Sequence, residues 1–204
     1  MLQIPTIPEN QILPLNLPLS IGLYVTQEQF AILAVANRDL KLERNARGEL
    51  IVNPPTGWET GQRNLSISGQ LYRWYEENEN LGKAFDSSTG FILPNGATRS
   101  PDASWVSQER WDALNAEQKG TFANICPDFV VELRSSSDKL ESLQTKMKEY
   151  IDNGTKLGWL LDPLPQRVEI YRPDSAVEVL ENPDSLSGDK VLPGFVLNLR
   201  RVWG

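Results

Sequence analysis

The chain has 204 residues, 20 Lys+Arg against 27 Asp+Glu, no His, one Cys and six Trp. Without imidazole there is no His-based triad, zinc-histidine site or histidine proton relay, and one cysteine rules out an intrachain disulfide and any multi-cysteine metal cluster. Acid-base work falls to carboxylates, lysine, tyrosine or water on a metal. A formal charge of −7 disfavours broad, nonspecific attachment to nucleic acid but leaves room for a local groove.

The length supports one substantial core, and 40% hydrophobic with 23% charged residues is ordinary for a globular domain. No apolar run approaches the roughly 20 residues that cross a bilayer, and the start lacks a secretory signal, so a cytoplasmic protein with no membrane partner is expected. Residues 1–25 read as a proline-interrupted N-terminal arm and 26–204 as a single domain.

In chain order, Thr26 with Gln29 forms a capping box for a helix through Phe30, Ile32, Leu33 and Val35 that ends near Asn37. Residues 40–44 and 49–52 form an antiparallel pair around Asn45-Ala-Arg-Gly48, stopped by Pro54-Pro55. From about Gly61, Leu65, Leu71, Tyr72, Trp74 and Tyr75 recur mostly at helical spacing. Residues 83–93 suggest paired or bent strands, and Pro94-Asn95-Gly96 turns the chain. A short strand follows over 102–106, limited by Pro101, and then a short helix over 107–114. Residues 127–133 are a compact β-rich run and should be a buried strand. A helix over 138–151 places Leu140, Leu143, Met147 and Tyr150 or Ile151 on one face, with Gly154 as terminator. Strands are expected over 157–161, 168–171, 177–180 and 195–197, with turn-rich chain over 182–194. The strand-helix-strand order indicates an α/β fold.

The chemical candidates are acids that converge. Asp102 opens one predicted strand and Glu132 closes another, so adjacent strand ends would bring them to one Mg2+ or Mn2+ ion, with Lys146 of the following helix within reach. Each has a plainer reading: a turn acid for Asp102, an ion pair with Arg134 for Glu132, a solvated helix lysine for Lys146, and a helix-start acid for Glu59. Asp128 reads as structural. Trp74, Trp105, Trp111 and Trp159 read as packing and Cys126 as buried, while Trp58 is either a groove residue or a loop anchor.

Ser100-Pro-Asp102, Cys126-Pro-Asp-Phe-Val-Val-Glu-Leu-Arg134, Lys146-Met-Lys-Glu-Tyr150, Gly158-Trp-Leu-Leu-Asp-Pro163 and Asp189-Lys-Val-Leu-Pro-Gly-Phe-Val together resemble the Uma2-type endonuclease family. The resemblance covers about residues 26–200. It implies a restriction-endonuclease-like PD-(D/E)XK fold, a central mixed β-sheet flanked by helices. It also implies Asp102 and Glu132 as catalytic metal ligands, Glu59 as a supplementary helix-proximal ligand, and Mg2+, with Mn2+ as a substitute, as cofactor. The lysine expected two positions after Glu132 is replaced by Arg134, which stays charged and suits phosphate contact rather than proton exchange. The resemblance therefore points to Lys146 as the displaced catalytic lysine, with Gln144, Tyr150 and Arg134 supporting it. The implied activity is hydrolysis of DNA phosphodiester bonds by a homodimer. The alternatives are a noncatalytic dimeric interaction protein that kept the fold, and hydrolysis of RNA or nucleotides by the same chemistry.

Overall fold

The computed structural model describes residues 22–203. Residues 1–21 of the expected arm lie outside the described residues. The capping box forms as expected: Thr26 accepts from the Gln29 amide, and the Gln29 side chain returns a bond to Thr26 N, opening α1 (Gln27–Ala36). β1 (Lys41–Arg44) and β2 (Leu50–Asn53) follow as an antiparallel pair. At their turn Gly48 has φ 90°, a region that L side chains rarely enter. α2 (Trp58–Glu77) begins three residues before the expected start at Gly61.

β3 (Gly82–Asp86) and β4 (Phe91–Ile92) do not pair with each other but enter different sheets. β5 (Thr98–Arg99), β6 (Ala103–Ser107), the short helices α3 (Gln108–Asp112) and α4 (Ala116–Lys119), and β7 (Phe129–Leu133) come next. α5 (Leu140–Asp152) ends before Gly154, whose φ of 108° turns the chain into β8 (Leu157–Asp162). β9 (Arg167–Tyr171), β10 (Glu178–Glu181), β11 (Ser185–Ser187), β12 (Val196–Asn198) and α6 (Arg200–Trp203) complete the described chain. The short β5, β11, α4 and α6 carry too few residues for a periodic signal and were not anticipated.

The architecture is α/β. Its centre is a six-stranded mixed sheet in the order β10-β9-β8-β7-β6-β3, antiparallel except for the β7–β8 pair, whose crossover is α5. A four-stranded antiparallel sheet, β2-β1-β5-β4, lies beside it. Strand alternation divides the apolar side chains between two layers. Phe129, Val131 and Leu133 with Trp159 and Leu161 point toward α2, α6 and Phe195, while Val130 and Leu160 point toward Met147 and Tyr150 of α5. Trp159 is fully buried, stacked on Phe195 at 6.0 Å and edge-on to Phe129 at 4.8 Å. Truncating it to Ala would cost about 3–5 kcal/mol. On the α5 face the alternation brings up Glu132, an acid in a strand that is otherwise wholly apolar. Among the described residues no helix is long and apolar enough to cross a membrane.

Candidate active site

Asp102 and Glu132 meet because β6 and β7 run antiparallel, with Ala103 opposite Val131. One step further along, the backbone of Asp102 donates to Val131 O at 3.0 Å, so Asp102 stands opposite Glu132 on the same face of the sheet. Pro101 has no amide hydrogen, and the ladder stops there. The Asp102 carboxylate replaces it, accepting from Leu133 N at 2.9 Å through Oδ2 and pairing with Lys41 Nζ at 3.2 Å through Oδ1.

Glu132 faces α5. Lys146 Nζ lies 2.8 Å from Glu132 Oε1, and the Tyr150 hydroxyl donates to the same oxygen at 3.0 Å. The four-residue spacing sets both donors on one side of α5, as the helical period requires. Lys146 also donates to Glu43 Oε1 at 2.8 Å, a residue that the sequence reading missed. Glu43 and Lys41 are two apart on β1 and therefore share a face, one meeting Lys146 and the other Asp102. Glu43 is buried, accepts from Ser100 N at 2.9 Å and pairs with Arg99 at 3.3 Å, and Arg99 in turn holds Glu149 of α5 at 2.6 Å. The available signal was the alternation Lys41-Leu-Glu43, which sets an acid and a lysine side by side in a hairpin strand. Nothing local shows that this face is covered.

The electrostatics follow from three carboxylates, Asp102, Glu132 and Glu43, gathered in a largely buried space around Lys146, with Lys41 and Arg99 at its edges. Burial pushes Glu132 up to about 7, with the charges of Asp102 and Glu43 adding to the rise and Lys146 opposing it. Burial would raise Glu43 as well, but Lys146 and Arg99 outweigh it and hold that carboxyl below its ordinary value. Lys146 would lose its proton more readily from burial alone, yet Glu132 and Glu43 raise it above the usual lysine range, so it is a fixed ammonium at neutral pH. Tyr150 is raised well above 10 by burial and by Glu132 and Glu43, which keeps its hydroxyl a donor.

The cluster opens into a cavity of about 770 Å³ lined by Asp102, Glu132 and Lys146 together with Lys41, Glu59 and Arg134. Glu59 lies in the first turn of α2, where its side chain is 83% exposed and 3.3 Å from Arg63. It reaches the cavity wall, not the acid-lysine cluster. Arg134 Nη1 is 2.6 Å from Asp162 Oδ2 and its Nε donates to Asp138 O, so it is paired with Asp162 and not with Glu132. Gln144 donates to both oxygens of Glu169 on β9, at 2.8 and 3.1 Å, away from Glu132. Asp128 is buried at the opposite end of β7 against Lys156 and Arg110 at 2.8 and 3.1 Å, a structural role as expected. Cys126 is buried, which pushes its thiol up to about 11. Trp74, Trp105 and Trp159 are core residues and Trp111 is partly buried, whereas Trp58 is 96% exposed and anchors no loop.

Among the described residues no group of three His, Cys, Asp or Glu side chains converges as a ready-made metal centre. Asp102 and Glu132 nevertheless suit a hard cation of the Mg2+ type, which is bound through one or two carboxylates and keeps several waters. The elevated Glu132 marks a place where added positive charge is favoured.

The family model described as "Putative restriction endonuclease", Uma2, matches residues 27–200. Among solved structures, the chain is similar to "a putative nuclease belonging to DUF820" from Anabaena variabilis ATCC 29413. The two share 22% identity at a TM-score of 0.67, over 79% of this chain and 89% of that one. No curated protein matches the chain significantly. That likeness is one of fold, and the family model spans every strand that supplies an acid to the cluster. The chain belongs to the Uma2 family.

Proposed function

We propose that this protein is a metal-dependent nuclease that hydrolyses DNA phosphodiester bonds at the Asp102–Glu132–Lys146 cluster. The observation that supports this most is the ammonium of Lys146 set 2.8 Å from a carboxylate that is pushed up to about 7, beside a second carboxylate, in a cavity open to substrate. Asp102 and Glu132 would hold Mg2+ or Mn2+. When bound, the ion supplies charge to the phosphoryl group and lowers the pKa of water. Lys146 cannot serve as a base while it is charged. Its part is to orient the attacking water and to offset the negative charge that grows on the phosphoryl oxygens as the new P–O bond forms and the leaving oxygen departs. Glu43 and Tyr150 position it, the first by holding the ammonium and the second by fixing the Glu132 oxygen that the ammonium shares. Arg134 at the cavity wall is held by Asp162 through Nη1 and by Asp138 O through Nε, which leaves Nη2 to reach a flanking phosphate. Glu59 is suited to a peripheral contact in the same cavity.

The test is cleavage of linear, supercoiled and single-stranded DNA with Mg2+ or Mn2+ by the wild type and by Asp102→Asn and Glu132→Gln, with melting temperatures recorded for each. Metal-dependent cleavage that both substitutions abolish is the expected outcome; equal residual cleavage in both variants would refute the assignment. A second reading, a noncatalytic interaction protein that kept the fold, draws on the absence of a three-acid centre among the described residues and on the closed pairing of Lys146 with two carboxylates. Calorimetry that finds no Mg2+ or Mn2+ binding, with negative cleavage on every DNA form, would favour it.

A further inference from the structure

Trp58, the first residue of α2, is 96% exposed and lines the cavity into which Asp102, Glu132 and Lys146 open. Helical side chains lean toward the N-terminus, so an indole at this position extends past the helix start instead of packing along its flank. Pro54 and Pro55 stiffen the chain that leads to it from β2, and both line the same cavity. Leu40, Val52 and Leu164, with exposures of 47%, 53% and 75%, line it as well. Exposed apolar residues scattered singly are ordinary, but their gathering on one cavity beside a candidate active site marks a contact surface.

The charges around the cavity do not favour a grip through the phosphate backbone alone. Every cation of its lining already has a carboxylate: Lys41 has Asp102 at 3.2 Å, Arg63 has Glu59 at 3.3 Å, Arg134 has Asp162 at 2.6 Å, and Lys146 shares Glu43 and Glu132 at 2.8 Å. A protein that tracks a duplex neutralises a series of phosphates with lysine and arginine, and this wall has no such series to spare. Stacking on an aromatic ring does not depend on net charge and contributes about 5- to 150-fold in affinity per base. A base offers its faces only when it is unpaired and out of the duplex stack. Resting on the assignment of DNA hydrolysis to this cavity, we propose that Trp58 is a base-stacking platform and that the DNA taken by the site is single-stranded. One unpaired base lies on the indole, bordered by the apolar wall, while the adjoining backbone runs toward Asp102 and Glu132.

Binding is measured in EDTA at low ionic strength, so that no strand is cut. Tryptophan fluorescence of the full chain is titrated with oligo-dT, with a duplex of equal length, and with an abasic strand of equal length that carries the phosphates without bases. Oligo-dT should quench the wild type and bind at least about tenfold tighter than the duplex or the abasic strand. Trp58→Ala should lose the quenching and, by anisotropy of labelled oligo-dT, about 5- to 150-fold in affinity, with an unchanged melting temperature because the indole lies outside the core. Trp58→Phe keeps a ring and should recover most of the affinity, whereas Trp58→Leu keeps apolar bulk and should not. Equal affinity for oligo-dT and the abasic strand, tighter binding of the duplex, no binding of any strand, or a Trp58→Ala protein that binds oligo-dT as the wild type does would each overturn the proposal. Metal-dependent cleavage abolished by Asp102→Asn and Glu132→Gln would survive those results, with paired DNA as its substrate. Oligo-dT binding through Trp58 without cleavage in Mg2+ or Mn2+ would uphold the stacking site and remove the hydrolysis instead.

Discussion

Glutamine at position 132 keeps the shape of the protonated carboxyl and cannot ionise, so Glu132→Gln isolates the energetic consequence of charging that site. Burial, with Asp102 and Glu43 nearby, moves the carboxyl from an ordinary 4.5 to about 7. An acid raised in the folded state binds more protons folded than unfolded between those two values. Its stabilisation is therefore complete below pH 4.5 and lost as pH rises through 7. At about 1.4 kcal/mol per tenfold change in acidity, the span corresponds to about 3 kcal/mol. Glu43, which is held low, works in the opposite direction and below the window, losing its contribution as pH falls. Urea unfolding followed by tryptophan fluorescence at a series of pH values from 4.5 to 8 gives the difference between wild type and Glu132→Gln. That difference should decline by about 3 kcal/mol, in favour of the variant, and level off above pH 7. Parallel stability curves for the two proteins would refute the account of Glu132 as a buried, charge-crowded acid.

Millimolar Mg2+ should flatten the same wild-type curve near pH 7 without affecting Glu132→Gln, because a cation on the carboxylates favours their charged form; no effect on either protein would argue against cation binding there. Lys146→Met leaves Glu43 and Glu132 without their shared ammonium and should cost about 3–5 kcal/mol in urea unfolding, as well as any cleavage activity. Tyr150→Phe removes the donor to Glu132 Oε1, which should cost about 1–2 kcal/mol and raise the pH at which Glu132 ionises, visible as an upward displacement of the stability transition. Gly82→Ala would place a Cβ 2.2 Å from Val106 O and 2.6 Å from the Trp105 ring, where β3 pairs with β6; a loss of about 1–3 kcal/mol in thermal or urea unfolding is expected.

The sequence carries the core of the site where local chemistry announces it. An acid that ends an apolar strand, Glu132, and one that follows a proline at a strand start, Asp102, stand out against their surroundings, and the pairing of β6 with β7 joins them. Lys146 and Tyr150 are four apart on a strongly patterned helix and arrive together for the same reason. Glu43 is different. It lies in Lys-Leu-Glu-Arg, a stretch that reads as a solvated hairpin, and its burial is created by Arg99 and Lys146, 56 and 103 residues away. Gln144 follows the geometry of α5 as well, but its turn of the helix overlies β9 instead of β7, a difference of strand order that spacing cannot reveal. The family resemblance implies Glu59 as a supplementary metal ligand, while its place at a helix start suggests only a favourable interaction with the helix. The helix begins at Trp58, and its first turn offers Arg63 as a closer partner. The alternation over 83–93 suggests paired or bent strands; the intervening turn instead sends β3 and β4 into different sheets.

The contact between Glu43 and Lys146 closes a loop of 103 residues and ties the four-stranded sheet to the helix that crosses between β7 and β8. Long loops must be closed before their contacts can reward the entropy lost, so such pairings form late on the way to the native state. On this argument the charged cluster is expected to assemble after the apolar layers have largely docked, and a chain folded only in its β7–α5–β8 unit would hold Glu132, Lys146 and Tyr150 but not Glu43 or Asp102. Substitutions at Lys146 or Glu43 should consequently speed unfolding far more than they slow folding. Any chemistry performed by the cluster then becomes available only to the completed fold and disappears with the first step of its opening.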